Sequence, residues 1–312
     1  MKKILKKIKQ ELFYIRQMFR YRYGLRKWYQ YIFNRFFGLQ LLRHMRPVFY
    51  EPTDDFELHI LDHKPGLWMS YWTIRTFLHH SGLRPRIVIH DDGTIDEKTA
   101  RIVESRFSGK NVSILRRADA DRLFAADPSI PEIVKNHRNN CKNIYLLMFV
   151  DHLFLSTSRR VMVMDNDILY YDCPTEIIDF MKGNSNVDAI YAFYEGERNP
   201  IDMDEEYKNK YEDILSDASG LNSGMIVFDK SKIDFDRVAE YFEHTTKPDG
   251  HLIEQTGWGF ILSQVPHAIF PEEIYKLRGN INPPTVTKHF TTPRRHEMFA
   301  YGIDEARKRM KT

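Results

Sequence analysis

The stretch Val161–Tyr171, VMVMDNDILYY, runs four apolar residues directly into two carboxylates, Asp165 and Asp167, one residue apart. Val161 to Met164 read as a buried strand, and the two acids stand where that strand leaves the core. In open α/β sheets, ligands bind outside the carboxyl ends of the strands. Two uncompensated carboxylates there would repel each other. A hard divalent cation, Mn2+ or Mg2+, reverses that and takes oxygen ligands of this kind. The Asp-x-Asp spacing alone is not specific, because it also occurs at 119/121, 202/204 and 234/236. Asp119 and Asp121 follow Arg116 and Arg117, which offer surface partners. Asp202 and Asp204 fall in an acidic loop after Pro200. Asp234 and Asp236 mark a helix start, where acids favour the dipole. Only the 165/167 pair follows a purely apolar run.

Outward from this strand the pattern alternates. Strands are predicted at 56–61, 84–93, 112–115, 160–164, 188–194 and 224–229. Helices are predicted at 68–80, 95–106, 142–156, 234–244 and 252–264. Thr94 is the expected N-cap of the second of these, with Glu97 at the capping-box position. Asp91-Asp92-Gly93 supplies turn chemistry at the end of the second strand. Strands alternating with helices predict an α/β fold with a mostly parallel central sheet and helices on both faces. With no internal repeat and no low-complexity linker, the chain divides into residues 1–50, a helical arm, and 51–312, one domain.

The net charge of +3 conceals an asymmetry. Residues 1–50 hold 13 Lys/Arg against one acid, Glu11, a balance of +12, whereas the rest of the chain carries −9. Ile4/Leu5, Ile8, Leu12, Ile15 and Phe19 recur at helical spacing, with Lys2, Lys3, Lys6, Lys7 and Lys9 over much of the other surface. Tyr, Trp and Phe from Tyr21 to Phe37 are mixed with Arg22, Arg26, Lys27 and Arg35. Basic residues among interfacial aromatics suit a helix lying on an anionic membrane through residues 1–47. A helix docked on the body is the plain alternative, and nucleic-acid binding is the least favoured. No 18-residue apolar run and no secretory h-region is present, so the expected location is cytoplasmic, peripheral on a membrane's inner face. Two cysteines, Cys141 and Cys173, form neither a disulfide framework nor a zinc spacing.

Two chemistries use an apolar strand ending in Asp-x-Asp. Haloacid dehalogenase-like, Mg-dependent phosphatases use the first Asp as nucleophile, but their motif opens the domain and an acidic pair follows on a later strand. Here about 100 residues of α/β pattern come first, and the paired acids at 91/92 precede the motif. The second chemistry is sugar transfer from a nucleotide. From about residue 56 to 296 the sequence resembles GT-A fold glycosyltransferases (nucleotide-diphospho-sugar transferases) on four ordered elements: VMVMDNDI, LNSGMIVFD (221–229), IEQTGWGF (253–260) and VTKHF (286–290). The order is similar to the retaining, glycogenin-like and galactosyltransferase-like branch.

The resemblance implies a metal-dependent hexosyltransferase acting from a nucleoside-diphosphate sugar, a UDP-sugar first, onto a glycan or lipid-linked acceptor. It implies Asp165, Asp167 and His289 as metal ligands, and Glu254 and Gln255 at the catalytic centre. It also implies Asn222, Ser223 and Gly224 against the sugar. Asp92, Leu61 and Asp62 stand where a nucleoside would lie. After its late His the branch runs through a Gly to a Lys-Pro-Trp-like segment; here HFTTPRRHEMF replaces it. Arg294 and Arg295 are expected to neutralise the diphosphate instead, and His296 competes with His289 as ligand. A catalytically silent sugar-nucleotide-binding protein tethered by its arm is the remaining alternative.

Overall fold

Val161–Met164 is the inner part of a seven-stranded sheet. The computed structural model describes residues 2–53, 55–107, 111–193 and 201–311; no side chain is described at 2–4, 6 or 216–218. The sequence readings at Ile4, Lys2, Lys3, Lys6, Tyr194 and Pro200 therefore lie outside the described residues. The sheet contains β1 (Phe56–Asp62), β2 (Arg86–Asp91), β3 (Val112–Leu115), β4 (Arg160–Met164), β6 (Ala189–Phe193), β7 (Leu221–Asp229) and β8 (His267–Ile269), in the order β3-β2-β1-β4-β7-β6-β8. β1 runs parallel to β2 and β4, β2 to β3, and β6 to β8. β7 is antiparallel between β4 and β6. A second sheet joins β5 (Ile168–Tyr170), β10 (Thr287–His289) and β9 (Tyr275–Lys276) in the order β5-β10-β9.

Both faces of the main sheet are covered, so its inner strands read as continuous apolar runs. Met162 and Met164 face one core with α3 (Leu67–Ser81), α4 (Glu97–Glu104), α8 (Thr175–Lys182) and the chain's C-terminal segment. Val161 and Val163 face the other, with α5 (Arg117–Ala126), α6 (Glu132–Asn140), α7 (Leu146–Phe154), α9 (Glu205–Lys210), α10 (Glu212–Ala218), α11 (Phe235–His244) and α12 (Ile253–Leu262). Local chemistry sets the boundaries. Gly82 (φ +64°) closes α3 in the left-handed region, where Gly carries no Cβ penalty. Asp96, not Thr94, caps α4 and accepts from Thr99 N at 2.8 Å; Thr94 instead donates to Asp92. The expected helix at 142–156 is shorter, because Asn143 Oδ1 accepts from Tyr145 N at 3.1 Å and holds that stretch in a turn. Asp202 is buried against Lys247 at 2.6 Å rather than solvated, and Asp204 caps α9 through Tyr207 N at 2.8 Å.

The arm is a hairpin of α1 (Lys2–Arg20) and α2 (Leu25–Leu42). It packs against α13 (Arg295–Glu297), a π-helical turn over Met298–Gly302, and α14 (Ile303–Arg309). Tyr14, Met18, Tyr31 and Leu42 are buried there. Tyr14 donates to Thr292 O at 2.7 Å, Asn34 Nδ2 to Phe299 O at 2.9 Å, and Arg26 pairs with Asp304 at 2.9 Å. The stripe read as the arm's working face is left outside: Leu5, Ile8, Leu12 and Phe19 are exposed, and Phe19 is 70% exposed.

Behind β1 and β2 lies a buried polar group that hydropathy does not announce. Glu57 accepts from Thr157 N at 2.6 Å and lies 3.4 Å from His59 Nε2; His59 Nδ1 lies 2.8 Å from His90 Nε2. The His152 ring on α7 stands 4.5 Å from that of His90. Burial, reinforced at His90 and His152 by the neighbouring imidazoles, holds all three histidines below the usual imidazole range. Their folded-state affinity for protons is lower than that of the unfolded chain. The stability they contribute is therefore complete above about pH 6.5 and is lost as pH falls. Denaturant unfolding between pH 7 and pH 5 should show decreasing stability. In His152→Phe the slope should be smaller by up to ~1.4 kcal/mol per pH unit; an unchanged slope would contradict the neutral cluster.

Candidate active site

The site begins with a clamp on the middle residue of Asp165-Asn166-Asp167. β1 ends at Asp62, which is buried. Its Oδ1 accepts from Asn166 Nδ2 and from His63 N, both at 2.7 Å, and its Oδ2 accepts from Ser70 Oγ on α3. Thr73 Oγ1 donates to Asn166 O at 2.8 Å. A Cβ at Gly66 would stand 2.6 Å from Asn166 Nδ2, so only glycine leaves the clamp room. Asp62 therefore holds the turn instead of facing a ligand directly.

β7 supplies the other wall. Asp165 N donates to Gly224 O at 2.8 Å. The β6–β7 register shifts between Tyr191 and Ala192, leaving Ser223–Met225 as a bulge beside the acids. A Cβ on Gly224 would lie 2.9 Å from Asp165 Oδ2 and would also meet the His289 ring. Asn222 Oδ1 accepts from Gly224 N at 3.1 Å.

The small second sheet brings in the late histidine. β10 pairs antiparallel with β5, placing His289 opposite Ile168, and Phe290 N donates to Asp167 O at 2.8 Å. His289 Nε2 then lies 3.2 Å from Asp165 Oδ2 and 3.1 Å from Asp167 Oδ1. One ligand atom from each of the three residues falls within 4.8 Å of the others. Burial opposes a charge on His289, but the two carboxylates outweigh it and raise its pKa to about 9. Burial likewise opposes a charge on Asp167, and Arg295 and His289 bring its pKa down to about 2. The donor set fits a divalent cation, because two carboxylate oxygens and an imidazole nitrogen converge. Asp167 Oδ1 is also buried with no well-formed hydrogen bond among the described residues.

The two expected arginines part company. Arg295 donates to Asp167 Oδ2 from Nε at 2.9 Å and from Nη2 at 2.6 Å. Arg294 turns the other way, donating to Leu277 O at 3.3 Å and lining a different cleft. His296 is buried against the arm, its ring 5.6 Å from that of Tyr14, and does not reach the acids. Arg159, just before β4, pairs with Asp229 at 2.7 Å and does not serve Asp165.

Glu254 and Gln255 open α12 and are both buried. Burial pushes Glu254 up to about 8, and Asp165 pushes the same way against the helix-start N–H groups and Ser223. Glu254 Oε2 has no hydrogen-bond partner among the described residues. A cleft of about 290 Å³ runs over the acids between Leu61, Asp92, Tyr145, Met148 and Arg295. Sequence reasoning, which read 142–156 only as a helix, missed Tyr145, just before α7, and Met148 on it. It also passed over Asn166, although a carboxamide between two aspartates at a strand end is a residue that can be clamped.

No protein-family model matches the chain, and no curated protein matches it by sequence. Among solved structures, the galactosyltransferase LgtC in complex with donor and acceptor sugar analogues superposes with a TM-score of 0.51 at 12% identity, over 82% of this chain and 95% of that one. Mouse xyloside xylosyltransferase 1 in its apo form gives 0.46 at 9% identity, over 79% and 99%. Core-mannan synthase A from Aspergillus fumigatus in its Mn/GDP form gives 0.46 at 11% identity, over 82% and 85%. At these identities the likeness speaks to fold, and LgtC carries it: the chain has the GT-A fold, the α/β architecture with a mostly parallel sheet that its sequence predicts.

Proposed function

We propose that the chain is a metal-dependent glycosyltransferase that moves a sugar from a nucleoside-diphosphate sugar, a UDP-sugar first, to a glycan or lipid-linked acceptor with retention. One observation carries the reading: Asp165, Asp167 and His289 converge at the carboxyl end of β4 on a GT-A fold. These three residues would hold Mn2+ or Mg2+. When bound, the cation supplies charge against the leaving diphosphate. Arg295, already on Asp167, adds a fixed positive charge beside the same position. Asp92 and Leu61 would face the nucleoside, and Asn222, Ser223 and the bare backbone at Gly224 the sugar. Glu254 is buried, and burial with Asp165 nearby raises its proton affinity; retention does not call on it as a base, whereas inversion would. Gln255 would offer its amide beside it. Arg294, turned toward Leu277, has no part at the donor diphosphate in this reading. The phosphatase alternative does not use His289, and a silent binding protein would have no need for the intact ligand set.

Membrane attachment belongs to the same reading. Among the described residues no helix is long and apolar enough to cross a membrane. The hairpin instead lies docked with apolar side chains outward: Leu12, Phe19, Leu25, Tyr29 and Phe36 are exposed. Their basic neighbours, within a segment of charge +12, favour an anionic surface by about 1 kcal/mol each.

Incubation with a panel of sugar nucleotides and Mn2+, with free nucleoside diphosphate as readout, should reveal slow donor hydrolysis that EDTA removes. Phosphate release from simple phosphoesters, without nucleotide release, would favour the phosphatase. Asp165→Asn should lower donor hydrolysis by at least about a hundredfold while melting like the wild type, since Asp165 is partly exposed. Asp167→Asn should lose both activity and stability, because it leaves Arg295 without its carboxylate. Gly224→Ala should raise the Mn2+ needed for half-maximal hydrolysis; an unchanged requirement would remove Gly224 from the metal site. Full-length protein should sediment with anionic vesicles at low salt, and the triple change Leu12→Ser, Phe19→Ser, Leu25→Ser should abolish this without unfolding the body.

A further inference from the structure

The residue before Arg295 faces a second cleft, of about 740 Å³, between the α1–α2 turn and the C-terminal helices. Its walls are aromatic. Tyr21 and Tyr23 stack with centroids 6.2 Å apart, and Tyr301 meets Tyr23 edge-on at 6.1 Å. Each acid lining it is already engaged. Glu297 pairs with Lys288 at 2.6 Å, Asp304 with Arg26 at 2.9 Å, and Glu305 with Lys308 at 3.3 Å. Two cations of the cleft have no acid partner among the described residues. Lys27 Nζ lies 4.8 Å and 5.0 Å from the ring centroids of Tyr23 and Tyr301, and Arg294 has only its 3.3 Å bond to Leu277 O. The cleft therefore presents two uncompensated positive charges beside flat aromatic surfaces.

We propose that this cleft binds a sugar phosphate, and that on the glycosyltransferase reading above it is the anchoring subsite for the acceptor. Lys27 and Arg294 suit a phosphate: an ammonium acts on it as a point charge, and a guanidinium binds it through its planar fork. The tyrosine rings offer apolar faces to a sugar ring, and a pocket of this composition fixes a ligand by a few polar groups among aromatic ones. The cleft adjoins the donor site, because Arg294 and Arg295 are consecutive and Arg295 bonds Asp167 at 2.6 Å. The hairpin thereby contributes to recognition as well as attachment. Neither half of the cleft is complete alone, since Lys27 comes from α2 and Arg294 from the body.

A sugar phosphate on a soluble glycan and one on a lipid share this chemistry. Glucose 6-phosphate and glucosyl octyl phosphate stand for the two sources, with glucose and inorganic phosphate as the separate parts. Ligand-observed NMR titrations on the full-length protein should show at least one sugar phosphate binding more tightly than either part. The tighter of the two identifies the source. Lys27→Gln and Arg294→Gln should each weaken that binding by at least about tenfold, equivalent to ~1.4 kcal/mol, with melting temperatures near that of the wild type. Lys27→Gln should also leave donor hydrolysis unchanged. Failure of both sugar phosphates to bind, or equal binding by wild type and both variants, overturns the site. Binding that depends on Lys27 in a protein without donor hydrolysis keeps the sugar-phosphate site but overturns its acceptor role, and with it the glycosyltransferase reading.

Discussion

Asp167 is almost fully buried, and its negative charge is tolerated only because two positive groups are brought to it from one distant segment of the chain. A lone ionised carboxylate in that position would cost several kcal/mol. His289 arrives on β10 and Arg295 just beyond it, so the body folds its last strand back across the end of β4. The Asp62–Asn166 clamp, the glycine at 66, the bulge at Ser223–Met225 and the bare backbone of Gly224 all serve the same end. They let three elements reach one carboxylate pair without a steric conflict.

Charge at the site is also graded. Asp165 is partly exposed while Asp167 is sealed, so the pair offers one oxygen facing the cleft and one facing the fold. Glu254 stands beyond Asp165 and is kept largely protonated by burial and by that neighbour. A carboxyl of low proton affinity, Asp167, and one of high proton affinity, Glu254, thus belong to one site, which is how environment assigns different roles to the same functional group.

Much of this was legible in the sequence. The apolar run into Asp165 and Asp167 located the strand end, the alternation predicted the sheet, and His289 was chosen over His296. What was not legible depends on long-range pairing. β5, β9 and β10 are two or three residues long, too short for any periodicity to register, yet they carry His289 to the acids. Arg294 and Arg295 look equivalent in sequence. They diverge because successive side chains at the start of a helical turn point in different directions, and only Arg295 meets Asp167. Of the stripe Ile4/Leu5, Ile8, Leu12, Ile15 and Phe19, four residues are exposed and Ile15 is half-buried, but periodicity could not reveal that Tyr14 and Met18 make a second face, the one that docks. The histidines at 59, 90 and 152 were passed over because a polar residue in an apolar strand gives no sign of its partners on the neighbouring strand and on the helix that covers it.

The contact between Tyr14 and Thr292 has a mechanical meaning. The hairpin is tied to the body through the stretch from Thr292 to Asp304, and Arg295 lies within that stretch. Tension applied to the hairpin therefore reaches the segment that positions the Asp167 counter-charge as well as α3, where Gly38 packs against Trp68. A tug on the hairpin would thus be felt at Asp167, through the ion pair that Arg295 makes with it.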